Sequence, residues 1–435
     1  MLKHPPQSSL SRLFSWRPGN LAKNTFLVTG GLSFRALLQF ILFVGLARFL
    51  GVRGYGEFVA VVAIMTFLVP LIGFGTPTLL IREIALDKNR FSQQFGKSLV
   101  IIGCVAIPCL LFSLIVSDWL LPEEIARVTI LNIALAELLL GPVMELTGRA
   151  FQALERLAYM VVIATGLILL RLASFALMML HGGPVDAESW SYYYLAATAL
   201  AAAGALCLVF KKIGLPQLGF RGTLSAMREG FYYALTSATS RINGEIDKVF
   251  LARLTTLGIT GAYSAAYRFI DIIMLPINAL LESSASRFFR AGRDGMTGSG
   301  KYARNLLPVP CLYAAVGGLL LFFFADIIPF LLGPEFILSV PMLKWLAILP
   351  LLLVTRTFLG MILITGGHSR YNGLIFFSGA VSNIGLNLVL IPRFSWTGAA
   401  LATIIAEVVM IFLLWLVICY DNSPARQTDR KPEQE

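Results

Sequence analysis

Residues 241–248 read Arg-Ile-Asn-Gly-Glu-Ile-Asp-Lys and lie inside the otherwise apolar run 231–254. That run is long enough to cross a membrane as a helix, so four charged residues fall within one predicted span. Each ionisable group at the centre of a span costs at least about 2.5–3.5 kcal/mol and normally faces a bundle interior or a water-filled cavity. Arg241, Glu245 and Lys248 share one helical face because they are spaced i, i+4 and i+7. We therefore expect this face to carry function.

The composition of the chain indicates a polytopic membrane protein. Of its 435 residues, 57% are hydrophobic and 14% are charged, whereas soluble domains carry about 25% charged residues. The formal net charge is +11, but the basic residues separate apolar segments and do not cluster on a soluble module, which argues against a nucleic-acid partner. The five cysteines and three histidines are scattered, so we expect free thiols and no metal site.

The apolar segments predict an all-α fold with twelve transmembrane helices, since a span needs about 20 predominantly apolar residues. The predicted spans are about 24–50, 57–80, 98–117, 125–147, 158–180, 191–210, 229–254, 258–282, 305–325, 340–364, 371–391 and 398–420. With a cytoplasmic N-terminus, the inside segments hold 23 Lys and Arg residues, and the outside loops hold only Arg53 and Arg393. This asymmetry predicts that both termini are cytoplasmic.

The two halves of the chain repeat each other at a constant offset of 205 residues. The matching residues are Ala47 and Arg48 with Ala252 and Arg253, Gly56 with Gly261, and Arg82 with Arg287. Because each half has an even number of spans, the halves share one orientation and are related by an axis along the membrane normal. We predict two pseudo-symmetric six-helix lobes with the substrate path between them. The predicted segments are a cytoplasmic N-terminal tail (1–23), the N-lobe (24–210), a cytoplasmic linker (211–228), the C-lobe (229–420) and a cytoplasmic C-terminal tail (421–435).

Several short motifs, spread over nearly the whole chain, carry a family resemblance. They are 46–51 (Leu-Ala-Arg-Phe-Leu-Gly) with 55–58 (Tyr-Gly-Glu-Phe), 246–251 (Ile-Asp-Lys-Val-Phe-Leu) with 261–268 (Gly-Ala-Tyr-Ser-Ala-Ala-Tyr-Arg), and 383–387 (Asn-Ile-Gly-Leu-Asn) with 398–403 (Gly-Ala-Ala-Leu-Ala-Thr). In this order they resemble the polysaccharide-export and O-antigen flippase group of the multidrug/oligosaccharidyl-lipid/polysaccharide (MOP) exporter superfamily.

The resemblance implies a V-shaped, MATE-like transporter of the bacterial inner membrane, and not an enzyme. Its expected cargo is a polyprenyl-pyrophosphate-linked oligosaccharide (an O-antigen, capsule or exopolysaccharide repeat unit), moved from the inner to the outer leaflet by alternating access. Its expected partners are a polysaccharide polymerase and glycosyltransferases.

Deep arginines are the candidate substrate-binding groups, because guanidinium forks bind phosphate oxygens bidentately and stay ionised. The candidate cavity residues are Arg35, Gln39, Arg171, Arg241, Glu245, Arg268 and Arg356. Opposite charges at i, i+4 in Arg241/Glu245 and at i, i+3 in Arg268/Asp271 fit either cavity lining or structural ion pairs. No catalytic residue is expected.

Carboxylates inside the spans are candidates for exchanging a coupling Na⁺ or H⁺. Asp247, Glu245 and Asp271 are the ones we select, and no other cofactor is expected. At the edge of the sixth span, Trp190 with Tyr192, Tyr193 and Tyr194 fits an interfacial aromatic belt better than a sugar-binding platform.

Two alternative functions remain open. One is an ion-coupled multidrug cation antiporter of the same superfamily, although the deep arginines favour an anionic substrate. The other is a membrane polysaccharide polymerase or glycosyltransferase, which needs a substantial outer loop bearing carboxylates or a metal. The outer loops predicted here are short.

Overall fold

The structure is a computed structural model that describes residues 20–220 and 222–421. Throughout these residues the regular secondary structure is helical, without any strand, so the all-α prediction is confirmed. Most of the two predicted tails, 1–23 and 421–435, lies outside the described residues. The division into lobes, linker and tails stays a prediction.

The N-terminal half contains seven α-helices within the described residues. They are α1 (Asn20–Gly73), α2 (Thr76–Leu86), α3 (Phe91–Leu120), α4 (Arg127–Ala134), α5 (Gly141–Ala153), α6 (Leu157–His181) and α7 (Ala187–Lys212). A π-helical segment, Leu135–Leu140, joins α4 to α5 without a loop. Short 3₁₀ turns connect other helices in both halves.

The C-terminal half contains nine α-helices within the described residues. They are α8 (Thr223–Leu254), α9 (Leu257–Ala291), α10 (Gly295–Leu306), α11 (Pro308–Phe323), α12 (Ile328–Leu332), α13 (Ser339–Leu346), α14 (Leu349–Thr365), α15 (Ser369–Phe394) and α16 (Trp396–Asp421).

Helix α1 is two helices joined at Gly51. Gly51 has φ 71° and ψ 174°, a backbone conformation that is essentially restricted to glycine. The rings of Phe43 and Tyr55, on either side of the break, are 5.7 Å apart between centroids, so the chain folds back on itself here. We call residues 20–50 the first arm of α1 and residues 52–73 its second arm.

Eight helices among the described residues are long and apolar enough to cross a membrane, and two bent helix pairs raise the number to ten. The first candidate runs from Gly30 to Gly73 and so covers two predicted spans, one on each arm of α1. Helix α8, the predicted seventh span, carries the charges of 241–248 and is not among the candidates. The helices indicate a multi-pass membrane protein, while the count of twelve and the cytoplasmic termini stay predictions.

The two halves meet at a pair of glycines that the repeat had aligned. A methyl group added to Gly56 would lie 1.8 Å from the carbonyl oxygen of Leu257, and one added to Gly261 would lie 1.9 Å from the carbonyl oxygen of Val52. Leu257 follows Val52 by 205 residues, as Gly261 follows Gly56, so each half makes the same contact with the other. Such reciprocity is the geometry that a two-fold axis produces. We call the end of the bundle that contains this contact and Gly51 the Gly51 end.

Candidate functional site

A cavity of about 300 Å³ lies between the two halves. Its walls come from both arms of α1, the π-helical segment, α6, α7 and α9. Most of the lining is apolar, and the polar or aromatic-polar lining side chains are Gln39, Tyr55, Glu137, Arg171, Trp190, Tyr194, Arg268 and Asp271. Four of these can carry charge, and they form two Arg–carboxylate pairs on opposite halves of the chain.

The N-terminal wall holds the Glu137 cluster, which consists of Glu137, Arg171, Tyr194 and Thr198. Arg171 Nη2 donates to Glu137 Oε1 at 3.3 Å and to Thr198 Oγ1 at 3.2 Å. The Tyr194 hydroxyl also donates to Glu137 Oε1, and Arg171 Cζ lies 4.0 Å from the centroid of the Tyr194 ring. The Glu137 and Arg171 side chains are only 22% and 14% exposed. This charged pair is therefore neutralised and held in one geometry.

The C-terminal wall carries the second pair on α9. Arg268 Nη1 lies 3.4 Å from Asp271 Oδ2, and the two side chains are 41% and 56% exposed. An ion pair this long and this exposed contributes little binding between its partners. Arg268 also contacts the Tyr55 hydroxyl, and its remaining N–H groups are available to a ligand in the cavity.

A buried network surrounds Asp247 and Lys248 at the junction of α8, α9 and α16. The Tyr263 hydroxyl donates to Asp247 Oδ2 at 3.0 Å, and the Lys248 backbone N–H donates to Asp247 Oδ1 at 2.8 Å. The Lys248 ammonium does not face Asp247 but donates to Glu245 Oε2 at 2.5 Å. This network is separate from the cavity lining. No group of three His, Cys, Asp or Glu suited to a metal ion occurs in the part of the chain that the structure describes.

A further buried ion pair joins α14 to α16 in the C-terminal half. Arg356 Nε lies 2.7 Å from Glu407 Oε2, and the side chains are 15% and 5% exposed. Arg356 Cζ lies 4.8 Å from the ring centroid of Phe376. The pair resembles Arg171–Glu137 in burial and in its aromatic contact, but it does not line the cavity.

The structure brings three of the seven candidate substrate-binding residues together. Gln39, Arg171 and Arg268 line one cavity, and the ion-coupling candidate Asp271 lies beside Arg268. Arg35 is one helical turn before Gln39 and close enough to Arg171 for electrostatic repulsion. The buried Arg35 Nε has no hydrogen-bond partner.

The remaining candidates lie elsewhere. Arg241 is exposed and, like Glu245 and Arg356, is not part of the cavity wall. Within the described residues Glu245 pairs with Lys248 and not with Arg241, so the Arg241/Glu245 ion pair considered from the spacing is wrong. The Arg268/Asp271 pair is present.

Sequence reasoning missed four polar or aromatic-polar residues of the cavity wall: Tyr55, Glu137, Trp190 and Tyr194. Trp190 and Tyr194 are buried and line the cavity, so the interfacial-belt interpretation is wrong for both. Tyr192 is exposed, as the interfacial-belt interpretation predicts. The signal was available, because Trp190 and Tyr194 are spaced i, i+4 on one helical face and Tyr192 lies on another.

Comparison with known proteins agrees with this fold. A sequence model of the family described as "Polysaccharide biosynthesis protein" matches residues 21–285, and a sequence comparison with curated proteins finds no match. The lipid II flippase MurJ in an inward closed conformation superposes with a TM-score of 0.75 at 14% identity, over 91% of this chain and 87% of that one.

Two further solved structures are also similar. An inward-facing multidrug resistance MATE family transporter of the MOP superfamily has a TM-score of 0.73 at 14% identity, over 89% of this chain and 95% of that one. A MOP superfamily transporter from Pyrococcus furiosus has a TM-score of 0.64 at 14% identity, over 92% and 95% of the two chains. At these identities the likeness shows the fold alone, and it confirms the MATE-like architecture predicted from the sequence.

Proposed function

The chain belongs to the polysaccharide biosynthesis protein family, and on that premise we propose that it is a multi-pass transporter of the MOP superfamily, not an enzyme, and that it flips a polyprenyl-pyrophosphate-linked oligosaccharide. The proposed membrane is the bacterial inner membrane. The glycan would be built by glycosyltransferases on the cytoplasmic side and passed to a polymerase after transport. The Gly51 end is then the outer end, because Gly51 lies in the predicted outer loop between the first two spans and the predicted outer loops are poor in Lys and Arg.

The observation that carries this proposal is the exposed guanidinium of Arg268 inside a cavity between two membrane-spanning halves. The formal charges of Arg171, Glu137, Arg268 and Asp271 cancel within the wall, and Arg35 nearby adds a positive charge. Charge-assisted hydrogen bonds from guanidinium to phosphate are roughly twice as strong as neutral ones. An anionic pyrophosphate is therefore favoured near Arg268 and Arg35.

The same cavity suits a ligand with a lipid tail. The first arm of α1 forms one wall and also bears large apolar side chains that are exposed on the described surface, including Leu37 and Ile41. In a membrane these side chains face lipid, since no described part of the chain covers them. The polar headgroup can then occupy the cavity while the tail stays in the bilayer.

We further propose that transport is coupled to Na⁺ or H⁺ at one of the buried carboxylates, with Asp247 preferred over Glu245 and Asp271. The Asp247 carboxylate is buried, and its hydrogen bonds come from the hydroxyls of Tyr263 and Thr403 and from a backbone N–H. The neighbouring ammonium of Lys248 pairs with Glu245. A carboxylate in this position can gain or lose a cation without breaking an ion pair of its own.

Replacing Arg268 by Ala tests the substrate. In a strain that lacks the native protein, we expect the Arg268→Ala variant to display roughly ten- to a hundredfold less surface glycan. This is the drop in substrate affinity that losing about one charged hydrogen bond would cause. Arg393→Ala, at an exposed position outside the cavity, is the matched control and should display normal glycan. Equal display from both variants, at equal membrane levels, would refute the proposal.

A multidrug cation antiporter is the second candidate, since the wall also contains two carboxylates and several aromatic rings. Overexpression should then raise resistance to cationic drugs in a manner that depends on Glu137 and Asp271. An overexpressing strain that gains no resistance would eliminate this candidate.

A further inference from the structure

We infer that the Glu137 cluster, together with Trp190, is a subsite for an uncharged sugar ring of the transported headgroup. This inference rests on the proposed function and divides the cavity in two. The phosphates would bind on the α9 side at Arg268, and the first sugars would bind on the opposite wall.

The first argument is the backbone at Glu137. Leu135–Leu140 is the only π-helical segment in the described part of the chain, and Glu137 lies inside it. A π-helical turn inside a helix costs hydrogen-bond quality and occurs frequently at functional sites. Glu137 lines the cavity, so this irregular backbone presents a carboxylate to the cavity.

The second argument is charge. Arg171 is neutralised by Glu137 and stacked on Tyr194, so a phosphate would have to displace a carboxylate that already holds the guanidinium. A cation would meet the opposite obstacle, because Arg171 already holds Glu137. A neutral polyol meets neither, because its hydroxyl groups accept from a guanidinium and donate to a carboxylate at the same time.

The third argument is the unused hydrogen-bonding capacity. Within the described residues, the indole Nε1 of Trp190 and the Nε of Arg171 are both buried without a hydrogen-bond partner, although buried donors are nearly always satisfied. Both residues line the cavity. Both hydrogen bonds that Glu137 accepts go to Oε1, which leaves Oε2 as an acceptor. A sugar hydroxyl that enters the cavity can donate to Oε2, and it reaches the two enclosed N–H groups when the surrounding side chains shift.

The fourth argument is the aromatic surround. The rings of Phe58, Trp190 and Tyr194 meet edge to face, with centroids 5.3 to 6.3 Å apart. They form an apolar and rigid boundary, since edge-to-face packing is a preferred aromatic geometry. Such a boundary suits the C–H faces of a sugar ring and excludes water from its hydroxyl contacts.

The test compares two lipids that differ only in the sugar. Undecaprenyl pyrophosphate that ends in a methyl ester (the bare lipid) or in one neutral hexose is titrated against the purified full chain, and binding is measured by native mass spectrometry. The methyl ester gives both lipids the same phosphate charge. We expect wild-type protein to bind the hexose-bearing lipid roughly tenfold or more tightly than the bare lipid. Binding of neither lipid would defeat the proposed function itself. Equal binding of both would overturn the sugar subsite and leave the function standing.

Two variants localise the effect. The double variant Glu137→Gln/Arg171→Met removes both charges together and so avoids an unpaired buried charge, and Trp190→Phe removes only the indole N–H. We expect the double variant to lose the preference for the hexose and Trp190→Phe to reduce it by roughly fivefold, because affinity for the hexose-bearing lipid falls more than affinity for the bare lipid.

The matched control is Arg356→Met/Glu407→Gln, which deletes a similarly buried pair outside the cavity and should keep the full preference. An undiminished preference in both cavity variants would refute the inference. An equal loss for both lipids would also refute it, because the cluster would then hold phosphate or serve folding alone.

Discussion

Replacing Gly261 by Ala should force the two halves apart at the Gly51 end. The added methyl would lie 1.9 Å from the carbonyl oxygen of Val52, whereas ordinary van der Waals contact begins at 3.4 Å. The two backbones must therefore separate by roughly 1.5 Å at this point, since a backbone carbonyl cannot rotate away as a flexible side chain can. The symmetric change, Gly56→Ala, meets the carbonyl oxygen of Leu257 in the same way.

The magnitude follows from the cost of overpacking. Inserting a methyl into a well-packed contact costs about 1–3 kcal/mol, and each 1.4 kcal/mol changes a population ratio about tenfold. The arrangement that is closed at the Gly51 end should therefore lose roughly ten- to a hundredfold in population relative to one open there. A transporter that alternates between these two arrangements takes up its headgroup from the side opposite the Gly51 end while that end is closed. The Gly261→Ala variant should therefore bind a headgroup presented from that opposite side more weakly.

Electron–electron distance measurements can detect this shift. Spin labels at Glu124→Cys and Ile337→Cys, both exposed positions in the two halves, would be placed in a background in which the native cysteines are replaced. The matched control is Gly258→Ala in the same helix, where the nearest atoms to an added methyl are 3.9 Å away. We expect Gly261→Ala to lengthen the distance distribution and Gly258→Ala to leave it unchanged. Identical distributions in the two variants would refute the reasoning.

Breaking two different ion pairs should give a large and a small loss of stability in thermal unfolding of the detergent-purified protein. Lys248→Met should destabilise the fold by about 3–5 kcal/mol, because it leaves the mostly buried Glu245 beside Asp247 without its ammonium partner. A loss below about 1 kcal/mol would contradict this and show that water solvates the two carboxylates. Arg53→Ala should cost less than about 1 kcal/mol, because Arg53 and its partner Glu124 are 70% and 64% exposed; a melting temperature as low as that of Lys248→Met would contradict this.

Much of the fold was predictable because a membrane imposes simple rules on a sequence. Spans must be apolar over about 20 residues, and this rule anticipated the eight long apolar helices of the described residues, while the predicted span at α8 is not among them. The repeat at an offset of 205 residues anticipated that Gly56 and Gly261 are equivalent positions. Their direct contact with each other could not be read from the offset, because the offset states equivalence and not proximity.

The charged residues show where local patterns stop being informative. The i, i+4 spacing of Arg241 and Glu245 allowed an ion pair, but the i, i+3 partner Lys248 lies on the buried side of α8 and takes the carboxylate. Helical spacing offers several neighbours within reach, and the packing of α8 against α9 and α16 selects one of them. The same spacing correctly allowed Arg268/Asp271, because the ion pair forms within α9 and leaves Arg268 free to contact Tyr55 as well.

By itself, the sequence determined an all-helical membrane protein of the polysaccharide biosynthesis protein family, and it predicted two related halves. Hydrophobicity, charge asymmetry and short motifs are local properties of the sequence, so they can be interpreted without knowing which helices are in contact. Only the tertiary structure decided that Glu137 meets Arg171 and Tyr194, that Arg356 meets Glu407, and that Trp190 faces a cavity. These pairs lie on different helices, and their meeting depends on helix rotation and crossing, which no local periodicity records.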